Sequence, residues 1–505
     1  MTALARAIND PQPVDGIGAR SPVDGLARRS VGFLDVLAQS VSAIAPSAAA
    51  TTIPLLVAVV AGGATVWALA SAMLLALLVA TTVNQFTRRI ATAGSLYTFV
   101  SRGLGTTASF VTGVALLVGY GFIAMFALGG AAYYLAILIA RFWPTVAGSA
   151  VFAGGLIIAM AALCLLVLAR GIRISTRVTL LVECVSVAII LVLVVALLVQ
   201  AGPVRGWSVL SLGDASPANL AVGAALALTA FVGFESSSTL GVEARRPYAS
   251  IPRAIRWSVI GSGLLFLIAS FSQLVGFAAI GGSITTSSSP VNDLAAAYGL
   301  DGIGLLLDLS IAASFLACAI ASTTALVRLL FSMGREGVLP SRFGRTHTRY
   351  RTPRVAVVVA VGVITIGLLA TILLSGSVWQ AMEILIVGAA GGYITAYVLV
   401  CVAAPVFLWR IGELTPWPVV RAVAASILLS GVLVVYLVVE SATDRFPGVW
   451  VFLGAMTVGI AFCGLRLVRR PWLSDTIGVY DVPIAEDVLG GPRAMTQGTP
   501  ERAAP

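Results

Sequence analysis

Apolar runs of about 20 residues recur along this chain, each closed by a short polar stretch, the spacing expected of helices that span a bilayer's hydrocarbon core. They predict an all-α polytopic membrane protein with twelve crossings, over residues 33–60, 65–86, 107–140, 149–169, 178–201, 218–242, 257–280, 303–333, 355–375, 380–408, 419–441 and 448–468. The third, eighth and tenth runs are long enough to cross at a tilt. Residues 1–30 are rich in Pro, Gly, Ala and Arg, lack periodicity and read as a disordered tail. Residues 471–505 read as a second tail, which leaves 31–470 as one membrane domain. No apolar segment of signal-peptide type follows the early arginines, so no cleavable leader is expected.

Two runs are interrupted by polar residues. In the sixth, Gly233, Glu235 and the serines Ser236 to Ser238 follow one another inside an apolar stretch. A carboxylate near mid-bilayer costs at least ~2.5–3.5 kcal/mol. Glycine and clustered serines weaken a helix and offer its backbone other hydrogen-bond partners. A helix broken at that depth is tolerated only where it is buried in protein or lines a wet cavity. In the first run, Ser40, Ser42, Pro46 and Ser47 fall in mid-span. Alone, that pattern also fits a proline-kinked helix whose serines bond back to the preceding turn. Two interrupted helices five spans apart match an inverted repeat of five helices plus five.

Composition narrows the class. The chain is 59% hydrophobic and 10% charged, with a mean hydropathy of +1.02. Its formal charge of +10 comes entirely from arginine, with no lysine at all, and reads as membrane topology, with no nucleic-acid role. With the N-terminus inside, the arginines sort to one face. Arg88, Arg89 and Arg102 follow span two, and Arg170, Arg173 and Arg177 follow span four. Arg245, Arg246, Arg253 and Arg256 follow span six, where Pro247 and Pro252 are expected to end the helix and shape a linker. Six more lie between Arg335 and Arg354, Arg410 and Arg421 flank the loop after span ten, and Arg466, Arg469 and Arg470 close span twelve. Only Arg141, Arg205 and Arg445 fall outside the pattern, which therefore supports both the even count and two cytoplasmic termini in a cell membrane. The five cysteines are scattered and the single His347 lies in a loop, so no metal site, cofactor site or His-based catalytic set is expected.

Four short motifs carry a resemblance. The first is Phe231, Gly233, Phe234, Glu235, then Glu243 and Pro247, then Ile251, Pro252, Ala254 and Ile255. The second is Ala93-Gly94-Ser95-Leu96-Tyr97 with Gly103-Leu104-Gly105. The third is Arg328 followed by Met333-Gly334-Arg335-Glu336-Gly337-Val338-Leu339-Pro340, and the last is Thr352-Pro353. In this order the chain resembles the amino acid–polyamine–organocation (APC) transporter superfamily. The resemblance implies the LeuT-like 5+5 inverted repeat, with helices one and six broken. It implies no enzyme, and no paired-carboxylate or nucleotide-binding motif argues otherwise. The glycines and arginines of the second and third motifs are expected to position loops.

The same resemblance implies a substrate site at the breaks. Half-helix ends carry about half a charge of each sign, which suits a zwitterionic amino acid or a related amine. Ser42, Ala43, Ile44, Ala45 and Ser47 line that site, with amides from Ala43 to Ser47 facing a carboxylate. Carbonyls near Ser40 and from Phe231 to Gly233 face the ammonium, and Phe231 is either a lid or plain packing. Coupling stays open between a proton and sodium. Glu235 is the first candidate carboxylate. Some relatives carry a lysine in the fifth helix; here the position falls near Ser186, and Glu183, one turn earlier, is either proton-titrating or interfacial. Ser322, Thr323 and Thr324 either cage sodium or join helices. Asp308 and Glu383 rank lower. The expectation is proton-coupled uptake by alternating access. The alternative is a cationic amino acid or polyamine transporter or exchanger, using Glu183, Glu235, Asp308 and Glu383 as an acidic path. Concentrative uptake would separate a carrier from a channel. The topology predicts that a cysteine placed at Ser287 reacts with an impermeant reagent in intact cells. One at Thr346 should react only after permeabilisation, and labelling there from outside would defeat the twelve-span reading.

Overall fold

The computed structural model describes residues 21–147, 149–201, 208–212, 216–287, 289–442 and 447–482. Arg205, Arg445 and residues 1–20 and 483–505 lie outside the described residues. The long helices are α1 (Phe33–Ile44), α2 (Pro46–Ala61), α3 (Thr65–Thr87), α4 (Leu96–Leu104), α5 (Thr106–Ala140), α6 (Ala150–Ala169) and α7 (Ile172–Ala201). They continue as α8 (Pro217–Leu228), α9 (Pro247–Ala279), α10 (Asp301–Arg335), α11 (Arg354–Ser375), α12 (Val378–Arg410), α13 (Pro416–Ala442) and α14 (Pro447–Arg469). Among the described residues there is no strand, only an isolated parallel bridge between Val31 and Ala244.

Eleven stretches are long and apolar enough to cross a membrane, and the first, Phe33–Thr87, runs for 55 residues. At ~1.5 Å per residue that is two crossings. Gly62, at φ +53°, turns the chain between them. Most ends match the hydropathy runs, with two corrections. α7 begins at Ile172, six residues before its apolar run, because Arg173 and Arg177 ride on helical turns beyond the apolar stretch. α9 begins at Pro247 and keeps Pro252 inside it, so these prolines start the helix and do not end one. Proline at the first helical position gives up only an amide that the helix leaves unpaired.

α5, α10 and α12 are buried along most of their apolar length, whereas α6, α13 and α14 are largely bare. The inner helices meet through small residues, as membrane helices do where packing alone joins them. A Cβ on Gly392 of α12 would lie 2.5 Å from the Ala115 carbonyl of α5. This contact brings the tyrosines of α5 and α12 to one place.

The arginine-rich end carries a further layer that composition does not reveal. The tail limits at 30 and 471 fall inside it. Residues 21–32 pair with the segment after the sixth crossing, through Val31 N to Glu243 O (3.0 Å) and Arg245 N to Val31 O (3.0 Å). Residues 471–482 fold back across the same end. Leu473 is buried, and the Asp481 amide donates to Ala91 O at 2.7 Å. The Asp481 carboxylate accepts from Ser21 Oγ at 2.7 Å and pairs with Arg28 (3.2 Å) and Arg29 (3.1 Å). These segments read as tails because charged, Gly- and Pro-rich sequence gives no periodic signal; their order comes from specific carboxylate and backbone partners.

Glu336 anchors the returning segment. Its Oε1 accepts from the amides of Gly478 (3.0 Å) and Val479 (2.9 Å), and its Oε2 accepts from Tyr97 Oη (2.5 Å). Burial holds this carboxyl up at about 7, against the opposing pull of Tyr97, Val479, Gly478 and the Arg102 charge. Docking therefore favours the protonated acid. The stabilisation is full below the ordinary carboxylate value and is lost as pH rises through about 7. Amide exchange at Gly478 and Val479, corrected for its intrinsic pH dependence, should lose protection between pH 6 and pH 8. Glu336→Gln should flatten that profile; a flat profile in the wild type would contradict the assignment.

Candidate functional site

The first crossing breaks at Ala45, which stands at φ 52°, ψ 62°. Pro46 enforces this, because proline disfavours the helical region for the residue before it and has no amide to continue the ladder. The Ala45 amide caps α1 by donating to Val41 O and Ser42 O, both at 3.2 Å. Pro46 then opens α2. The sixth crossing breaks differently. α8 passes into a 3-10 turn over Thr229–Phe231, Val232 is extended, Gly233 sits at φ 96°, and Phe234–Leu240 continues as a tight 3-10 helix.

The two breaks touch. A Cβ at Gly233 would lie 3.0 Å from the Ala43 Cβ and 3.1 Å from its carbonyl oxygen. Ser40 Oγ donates to Phe234 O at 2.5 Å, and Ser236 Oγ donates to Gln39 O at 3.1 Å. From α10, Cys318 Sγ donates to Ala43 O at 3.3 Å. The half-helix ends with their partial charges therefore converge. Three buried hydroxyls, on Ser42, Ser47 and Ser237, have no hydrogen-bond partner among the described residues. An unmet buried polar group costs roughly 1–3 kcal/mol. A cavity of about 40 Å³ lies at the breaks, lined by Ala43, Ile44, Ala45, Val232, Phe315 and Cys318 among others, though not by these three serines.

Not every candidate joins this cluster. Phe231 is buried, but its ring packs edge-on against Phe266 of α9 at 5.2 Å and does not line the cavity. Glu235 lies behind Gly233, accepting from Tyr120 Oη at 2.8 Å and from Tyr397 Oη. Tyr397 also receives the Gly233 amide at 3.2 Å. These phenols on α5 and α12 escape sequence reading, because tyrosine is common in membrane helices and each lies more than a hundred residues from Glu235. Glu183 is fully buried on α7, and both its oxygens face Ser314 Oγ of α10, at 3.0 and 3.2 Å. Ser314 Oγ in turn lies 3.4 Å from the Ala48 amide in the first turn of α2. Ser186 pairs with the Ser310 carbonyl at 3.1 Å.

Ser322 Oγ faces Cys318 Sγ at 3.8 Å, Thr324 Oγ1 bonds back to Ile320 O at 2.8 Å, and Thr323 is buried. Among the described residues none of the three hydroxyls bonds a carbonyl of the first crossing. Asp308 pairs with Arg141 (2.5 Å) and accepts from Asn292 (2.9 Å). That pairing neutralises one of the arginines that had not sorted to the common face. Glu383 accepts from Trp379 Nε1 at 3.1 Å.

A family model described as amino acid permease matches residues 35–475. The chain belongs to the amino acid permease family, within the APC superfamily. It is similar to the low-affinity putrescine importer PlaP of Escherichia coli, at 28% identity over 64% of this chain and 69% of that one. It is also similar to the branched-chain amino acid permease BcaP of Bacillus subtilis, at 24% over 59% and 66%. A methylthioribose transporter of the same Bacillus matches at 23% over 68% and 75%. The permease is thus a multi-pass membrane transporter of small molecules and not an enzyme.

One ion pair holds the segment after the permease's sixth crossing to α10. Arg328 donates to both oxygens of Glu243, at 2.9 and 2.8 Å, with both side chains buried. Removing one partner strands a buried charge. Arg328→Met should destabilise the purified protein by about 3–5 kcal/mol, and the double variant Arg328→Met/Glu243→Gln should recover a large part of it. Thermal unfolding in detergent reads both; equal losses in the two variants would refute the pairing argument.

Proposed function

We propose that the permease takes up a neutral, apolar amino acid by alternating access, coupled to protons through Glu183. The observation that carries the substrate class is the lining of the cavity at the breaks, apolar apart from Thr52, Thr229 and Cys318 and without a carboxylate. A zwitterion's charged ends meet the half-helix termini and the hydroxyls of Ser42 and Ser47, and its side chain meets Ala43, Ile44, Val232 and Phe315. A diamine's second ammonium would find no partner there. Glu235 does not supply one, because Tyr120 and Tyr397 already occupy its two oxygens. These features favour the neutral amino acid over the cationic or polyamine alternative. The cavity has room for roughly three or four waters, at about 10–15 Å³ each, so an amino acid enters only when the breaks move apart.

Glu183 is the coupling group of this reading. It links α7, through Ser314, to the first amides of α2, where the substrate carboxylate would bind. A proton on Glu183 removes a buried negative charge from that neighbourhood, and its release to the cytoplasm accompanies the opposite opening. Sodium at Ser322 and Thr323 is the weaker alternative, since neither hydroxyl bonds the first crossing. In this reading the arginine-rich end, with both termini, faces the cytoplasm of the cell whose membrane holds the protein.

Proteoliposomes test this directly. Radiolabelled leucine, valine or phenylalanine should accumulate under an inward proton gradient without sodium, and a hundredfold excess of putrescine or lysine should not compete. Accumulation of putrescine in place of the neutral amino acids would overturn the substrate class. Glu183→Gln should lose gradient-driven accumulation yet keep substrate exchange, which needs no net proton movement. A wild-type pH profile in that variant would move the proton role to Glu235.

A further inference from the structure

Three helices present basic residues to one cleft at the arginine-rich end. On the last turns of α3, Thr81, Asn84, Gln85 and Arg88 follow at spacings of three and four, which places them on one face. The first turns of α9 add Arg253 and Arg256, three residues apart, and the start of α13 adds Arg421. Asn84 Nδ2 donates to the Pro252 carbonyl at 3.1 Å and fixes α3 against α9 at the back of the cleft. The cleft has a volume of about 420 Å³, and none of its lining residues is Asp or Glu.

The charge there is unmet. Some arginines of this end are partnered, Arg28 and Arg29 by Asp481, Arg89 by Glu413 and Arg328 by Glu243, while others outside the cleft, such as Arg245 and Arg246, form no ion pair among the described residues; what sets the cleft apart is that four unpaired arginines share it. Among the described residues, Arg88, Arg253, Arg256 and Arg421 form neither an ion pair nor a side-chain hydrogen bond; Arg421 only approaches the Trp417 ring, at 6.0 Å. The contrast is sharpest between neighbours, since Arg89 is tied down on both sides and Arg88 on neither. Four guanidiniums gathered in one cleft repel one another until an anion enters, and their planar forks match phosphate oxygens.

The position of the cleft selects the kind of anion. Arg88 stands where the apolar run of α3 ends, and Arg256 stands where that of α9 begins. Trp257 follows Arg256 and is exposed, as are Trp417, one turn before Arg421, and Trp409 at the end of α12. Exposed tryptophans at one level mark the interfacial belt of a membrane protein. The cleft therefore opens at headgroup depth, where phosphodiesters are concentrated. We propose that this cleft binds the headgroup of an anionic phospholipid, with its four arginines matched to a lipid that carries two phosphates. Such a lipid bridges α3, α9 and α13. It would act on the linkage between the broken sixth crossing and α9, at a site separate from the one at the breaks.

Native mass spectrometry of the full chain in detergent tests this, with cardiolipin, phosphatidylglycerol, phosphatidylcholine and inorganic phosphate as probes. The expected result is retained cardiolipin, with phosphatidylglycerol weaker and phosphatidylcholine absent. Arg253→Gln/Arg256→Gln should cut cardiolipin occupancy about tenfold, and so should Arg88→Gln/Arg421→Gln on the other two helices. The control Arg466→Gln/Arg469→Gln removes the same charge from α14 and should leave occupancy unchanged. Equal loss in the control would overturn the site in favour of a diffuse basic surface. Displacement of the lipid by millimolar phosphate would overturn the lipid assignment in favour of a soluble anion. Thermal unfolding of each variant without lipid confirms that it is folded.

Discussion

Where a helix stops in the middle of a bilayer, its last carbonyls and first amides lose their partners, and no bulk water replaces them. This permease meets that constraint twice, at Ala45 and at Gly233, and it does so by pressing the two breaks together. Ser40 and Ser236 bond across the junction, Ala45 caps its own helix, and Cys318 reaches in from α10. Around this junction the remaining architecture follows. α5 and α12 must come close enough to seat Tyr120 and Tyr397 on Glu235, which requires the glycines between them. α7 and α10 must come close enough to seat Ser314 between Glu183 and α2.

The same constraint separates two jobs that a carboxylate can do in a membrane. Glu235 is held by two phenols and stiffens the sixth crossing against α5 and α12. Glu183 has, among the described residues, only a serine hydroxyl, and that hydroxyl also faces the start of α2. A group with several fixed partners resists a change of state, whereas a group with one shared partner passes such a change along. Glu235 had the stronger claim to coupling by its position in the chain, and the proposal that moves the role to Glu183 rests on this difference in surroundings.

Much of the fold was legible in the sequence, for a physical reason. A bilayer demands continuous apolar stretches, so the helices announce themselves, and Pro46 and Gly233 announce the breaks. The starts of α7 and α9 were not legible, because a helix continues past the hydrocarbon edge once charged residues such as Arg173 and Arg253 can reach water. Partners across the fold were less legible still. Nothing local to Glu235 points to Tyr397, and nothing local to Arg328 reveals that it pairs with Glu243. Phe231 stayed open between lid and packing, since an aromatic beside a break fits a lid as well as it fits the packing against Phe266 that it makes. The returning segment at 471–482 carried no periodic signal, since it holds its place through single hydrogen bonds and ion pairs.

That returning segment bears on how the molecule is made. Asp481, synthesised after every crossing is complete, sits on Arg28 and Arg29, which leave the ribosome before the first. Contacts this distant along the chain form late, because the loop between them must close first. The layer at the arginine-rich end is therefore the final seal on assembly, closing only over a bundle whose loops already stand in place. A chain with one helix misinserted would carry the acid and the two arginines to opposite sides of the membrane. The pair thus reports, in a single contact, that an even number of passes lies between its partners.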